Sequence, residues 1–176
     1  IGSTFSFGEG SYDLYYIKTD ASGEIDWSRT YGGTGTDNGT SVQQTADGGY
    51  ILLGYTNSSG AGLCDILLAK TDSAGVIDWA YTYGGEADDR AWHVLQTMPD
   101  SGYIVAGYTE TFGGGGGDAF VLRTDASGGL ARASAERRAR GLAARSPLPK
   151  KIWWCTPSPS LPWPSAAAPS APTSPS

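Results

Sequence analysis

The segment that begins at Asp13 as DLYYIKTDASGEIDW returns at Asp65 as DILLAKTDSAGVIDW and at Asp118 as DAFVLRTDASGGL, at spacings of 52 and 53 residues. A self-similar period of that length belongs to arrays in which each unit is one supersecondary element that cannot bury its apolar face alone. Other landmarks keep the same order within the period: Trp27 and Trp79, YGG at Tyr31 and Tyr83, QT at Gln44 and Gln96, then DGGYILLGYT from Asp47 beside DSGYIVAGYT from Asp100. With 26 glycines and 11% aromatic residues, the chain fits short strands joined by tight turns better than helices. The expected fold class is all-β.

Each period contains four β-prone runs, the content of one four-stranded propeller blade. In the second period they span 66–71, 76–83, 91–97 and 103–109. The first two runs are separated by TDSAG, where Asp72 accepts backbone N–H bonds and Gly75 supplies positive φ; Asp20 with Gly23 and Asp125 with Gly128 repeat that turn. Paired glycines after Tyr31 and Tyr83 let the chain leave its strand sharply. The near-continuous apolar and small residues of YIVAGYT predict a strand covered on both faces. Recurring Trp27 and Trp79 predict packing between neighbouring blades rather than ligand contact. About two and a third such repeats are present, over residues 1–129.

The order D-x-x-L-x-K-T-D-x-x-G-x-x-x-W, YGG, an acidic loop, QT-x-DGGYI-x-x-GYT and a glycine-rich connection resembles the tandem repeats of secreted archaeal and bacterial β-propeller proteins. That resemblance covers residues 1 to about 130 and implies a propeller-type fold in a surface or adhesion protein, with no catalytic residue carried over. The paired glycine followed by aromatics resembles kelch repeats more distantly, and 20–27 resembles an Asp-box turn. Both lack the spacing of Trp or Tyr that those motifs require.

Charge divides along the chain. Of the 12 Lys and Arg and 18 Asp and Glu, residues 1–128 hold 5 and 17, whereas 129–176 hold 7 and 1. An acidic body of about −12 repels phosphate backbones and anionic lipid, which argues against nucleic acid as a partner. No run of 18 apolar residues is present, so no membrane span is expected, and no signal peptide is visible. Beginning at Ile1, the sequence reads as a processed or excised chain. Cys64 and Cys155 form neither a disulfide framework nor a zinc spacing. The composition points to an extracellular or cell-surface setting.

From residue 130 the expected Trp and YGG do not return, and 130–176 is rich in Ala, Arg, Pro and Ser. Three readings of this tail stand: out-of-frame translation of a GC-rich repeat gene, a disordered tail, and a basic helix over 131–145. The PxxP at 159–162 is too common in such composition to indicate a partner.

Function is sought where the repeats differ. His93 is the only histidine, so metal clusters of several histidines are excluded and no catalytic residues or cofactors are assigned. The recurring Asp13, Asp65, Asp118, Asp37 and Asp89 invite comparison with calcium ligands, but no DxDxDG loop is present and turn capping explains their recurrence, so no metal is assigned. Between YGG and the next strand, Asn38, Gly39, Thr40 and Ser41 of the first repeat become Arg90, Ala91, Trp92 and His93. Arg90, Trp92 and His93, aided by Asp88 and Asp89, are therefore the candidate ligand-binding residues, suited to a glycan or a surface protein through stacking and directed hydrogen bonds. The opposing reading has Trp92 filling a gap between blades while His93 points to solvent. The expected function is a non-catalytic module for adhesion or recognition; the alternatives are a self-assembling structural repeat forming a fibre or surface array and, behind it, a carboxylate-dependent glycoside-active enzyme. Because so few repeats do not close a ring, the expected partner is a second copy of the chain, in a homo-oligomer joined edge to edge or blade to blade.

Overall fold

A computed structural model describes residues 1–113, 116–136 and 158–159. The strands are β1 (Gly2–Thr4), β2 (Asp13–Thr19), β3 (Ile25–Tyr31), β4 (Asp37–Gln44), β5 (Tyr50–Thr56), β6 (Asp65–Thr71), β7 (Ile77–Tyr83), β8 (Asp89–Gln96), β9 (Tyr103–Thr109), β10 (Asp118–Thr124), β11 (Leu130–Glu136) and β12 (Ser158–Pro159). No helix occurs among the described residues, and the protein is all-β. Three antiparallel sheets form in the orders β1-β2-β3, β12-β7-β6-β5-β4 and β11-β10-β9-β8.

The sheets are out of phase with the sequence repeat. The four runs at 66–71, 76–83, 91–97 and 103–109, grouped as one blade from the sequence, fall in two sheets: β6 and β7 join β4 and β5, while β8 and β9 join β10 and β11. The break comes at Gly84 and Gly85, where the chain leaves β7, and a parallel bridge of Cys64 with Asp88 ties the start of β8 back to the middle sheet. The hairpin turns are those expected. Asp20, Asp72 and Asp125 each accept two backbone N–H bonds at 2.7–3.0 Å, and Gly23, Gly75 and Gly128 sit at φ 90, 78 and 84.

The structure adds a partial repeat at the start of the chain. Thr4 pairs with Asp13 as Thr56 pairs with Asp65 and Thr109 with Asp118. IGSTFSFGEGSYD therefore aligns with LGYTNSSGAGLCD, and Gly8, Gly60 and Gly113 share φ between 108 and 117. Ser3 in place of the tyrosine of GYT hides this match in the sequence. At the other end, β11 carries pairing with β10 to Glu136, seven residues into the segment assigned to the tail, so 131–136 is strand and not the start of a basic helix. The remainder of that segment, including Cys155 and most of the PxxP, lies outside the described residues.

The middle sheet is packed on both faces. Ile51, Leu53, Ile66, Leu68 and Tyr83 meet Val94, Tyr103, Val105, Phe120 and Leu122 of the third sheet, while Leu52, Leu67 and Ala69 meet Leu14, Tyr16 and Tyr31 of the first. Every residue of β6 is buried. In contrast, β9, expected to be covered on both faces, alternates buried Tyr103 and Val105 with exposed Ile104 and Ala106, because no third neighbour covers its outer side among the described residues. Trp27 packs edge-on against Tyr50 of the middle sheet at 6.3 Å and Trp79 against Tyr103 of the third at 5.8 Å, so both tryptophans fill inter-sheet space.

Candidate functional site

The first strand of the middle and third sheets carries a bulge at the same place, between Gly39 and Ser41 in β4 and between Ala91 and His93 in β8. A bulge adds one residue against the partner strand and re-aims its side chain. In β4 the extra residue is Thr40, whose Oγ1 donates to the carbonyl of Ala91 at 2.8 Å and so reaches the next sheet. In β8 it is Trp92, 47% exposed, stacked on Tyr108 with ring centres 5.6 Å apart and planes 20° apart. His93 lies opposite Ala106 and is exposed. Leu95, Ile104 and Val121 complete an exposed apolar stretch on that outer face.

Arg90 is held at the junction with the middle sheet. Its Nη2 donates to Asp88 Oδ2 at 2.9 Å and lies 3.9 Å from Cys64 Sγ, and its guanidinium sits 4.9 Å from the centre of the Tyr55 ring. Burial, followed by the Asp88 carboxylate, pushes the Cys64 thiol above its ordinary range, so this cysteine is no activated nucleophile.

Asp89 has a different place from its neighbours. It is 1% exposed, its Oδ2 accepts from Gly85 N at 2.9 Å and from Thr111 Oγ1 at 2.7 Å, and its backbone N–H donates to the Cys64 carbonyl at 2.8 Å. Asp37 repeats this arrangement with Gly33 N at 2.9 Å and Ser58 Oγ at 2.6 Å. Asp89 therefore closes the turn into β8, while Asp88, Arg90, Trp92 and His93 reach the surface.

No known protein family and no curated protein matches the chain.

The five residues singled out from the sequence thus divide into a buried turn cap, an Arg–Asp pair resting on Tyr55, and an exposed aromatic pair built on Trp92. Tyr108 and Tyr55 were missed. Both belong to the recurring GYT landmark, and recurrence marked them as framework; only the hydrogen-bonded register of β8 with β9, which sets Arg90 opposite Tyr108, brings Tyr108 to the site. The chemistry on offer is stacking, a fixed cation and hydrogen bonding.

Proposed function

We propose that the chain is an extracellular, non-catalytic module of β-propeller-type blades that recognises a glycan or a protein surface through Trp92. The observation that carries this reading is the exposed indole, parallel to Tyr108 and on the same strand as the anchored Arg90. A flat aromatic face presented by a bulge suits the apolar face of a sugar ring or a planar side chain, and Arg90 supplies directed donors nearby. A single stacked contact of this kind is worth about 1 kcal/mol, so affinity is weak for one module and rises with multivalency. Binding to a glycan array is the test. Trp92→Ala with His93→Ser restores the small polar character of Thr40 and Ser41 and lowers binding about fivefold; equal binding by a variant with unchanged circular dichroism removes Trp92 from the reading.

A second reading, assembly into a fibre or surface array, is favoured by the outer face of the third sheet. Ile104, Ala106 and Val121 stand at the positions of Ile51, Leu53 and Leu68, which the next sheet covers in the middle of the chain. A head-to-tail contact that repeats this packing does not close by symmetry and gives open-ended oligomers. Light scattering after size exclusion separates the two readings, because the recognition module remains of one size while the array grows with concentration.

A further inference from the structure

The turn caps of the two sheet junctions bring carboxylates together in pairs. At the second junction Asp65 Oδ2 accepts from Ala61 N at 2.8 Å and Gly62 N at 3.3 Å, and Asp89 Oδ2 is held by Gly85 and Thr111. Each carboxylate is about 1% exposed, and each keeps a buried Oδ1 with no hydrogen-bond partner. The unpartnered Asp65 Oδ1 and the capped Asp89 Oδ2 converge over Gly84. A Cβ there would lie 1.9 Å from Asp65 Oδ1 and 2.9 Å from Asp89 Oδ2. The first junction repeats the pattern: a Cβ on Gly32 would lie 2.1 Å from Asp13 Oδ1 and 2.8 Å from Asp37 Oδ2, and Asp37 Oδ1 is likewise buried without a partner.

Two buried carboxylates facing each other across a glycine repel and lack the water that would screen them. A buried oxygen left unsatisfied costs free energy unless something occupies it. We propose that each of these junctions is a binding site for a hard divalent cation of the calcium type, held by Asp65 and Asp89 over Gly84 and by Asp13 and Asp37 over Gly32. Only oxygen donors recur at both junctions; Cys64, beside Asp65, is replaced by Tyr12 at the first, so a thiolate-seeking metal does not fit the shared design. With two carboxylates rather than three or more acidic groups at each site, binding falls in the weak range of extracellular calcium modules, about 10⁻⁴–10⁻³ M. This assignment is independent of the Trp92 surface.

The test is calcium titrated into the full chain at neutral pH by calorimetry, with equilibrium dialysis as the count. Two ions per chain are expected. Gly84→Ala places a methyl group in the second cradle and reduces the count to one, with the first junction as the internal control. Asp65→Asn keeps an acceptor for Ala61 and Gly62 while removing the charge, and also leaves one ion; Asp13→Asn combined with Asp65→Asn leaves none. Should Gly84→Ala fail to fold, the Asp65→Asn count decides. No calcium taken up at millimolar concentration overturns the proposal, and so do two ions retained by a folded Gly84→Ala or Asp65→Asn chain. A pair that instead shares a proton takes up no calcium and overturns it in the same way.

Discussion

The tyrosines of the YGG landmarks are the latches between consecutive sheets, and removing one hydroxyl tests how the sheets are held together. Tyr83 ends β7, is fully buried, and its hydroxyl donates to the carbonyl of Gly128 in the β10–β11 turn at 2.6 Å; Tyr31 donates in the same way to the carbonyl of Gly75 in the β6–β7 turn. Tyr83→Phe keeps the ring and its packing against the core of the third sheet but leaves the Gly128 carbonyl without this donor in a dry site. A made hydrogen bond is worth about 1 kcal/mol net, and an orphaned buried partner raises the cost of deletion to about 1–3 kcal/mol. At roughly 3–5 °C per kcal/mol for a domain of this size, the melting temperature falls by about 3–15 °C. Tyr31→Phe falls within the same range, and because the two latches lie in different junctions, the double variant sums the single effects within about 0.5 kcal/mol. Tyr12→Phe, at an exposed ring, leaves the transition in place. Calorimetric melts of the parent and these variants decide the matter: a Tyr83→Phe chain that melts with the parent refutes the latch, and a double variant far from the sum refutes the independence of the junctions.

Leu68→Ala and Val121→Ala remove side chains at equivalent places in β6 and β10. Leu68 is fully buried between sheets, so its loss costs about 2–5 kcal/mol, whereas Val121, half exposed on the outer face, costs under about 1 kcal/mol; urea titration reads both, and equal losses contradict the packing described. At Asp47, the Thr45 hydroxyl at 2.5 Å and then the Lys70 ammonium at 2.9 Å hold the carboxyl down to about 2. A folded pKa below the ordinary 3.8 gives stability that is present above 3.8 and is lost as pH falls toward 2. The Asp47 side chain is largely exposed, which limits the effect to under about 1 kcal/mol; the gap in urea midpoint between the parent and Asp47→Asn therefore closes as pH is lowered through that window, and a gap independent of pH rules the linkage out.

Strand positions, hairpin turns and inter-sheet tryptophans were legible in the sequence because each depends on neighbours within a few residues or on a recurring shape. Asp72 four residues before Val76, with Gly75 between, makes its turn whatever the rest of the chain does. The candidate site was legible only in part. Arg90 and Trp92 stand out by departing from Asn38 and Thr40, but Asp89 is equally conspicuous beside them and is buried, because both it and its counterpart Asp37 cap a turn.

The chain's local chemistry thus determined the common character of its strands: β-prone runs, Asp–Gly turns and a period near 52 residues. Tertiary structure decided which runs share a sheet. A repeat can be cut at any phase without altering its period, and the cut falls at Gly84–Gly85 because hydrogen bonding between strands, a non-local interaction, stops there. It also decided burial: YILLGYT and YIVAGYT are nearly the same strand by composition, yet among the described residues β5 lies between two sheets and β9 against one. Alternation in a sequence reports which residues share a face, and only the packing of sheets determines whether that face meets another or meets water.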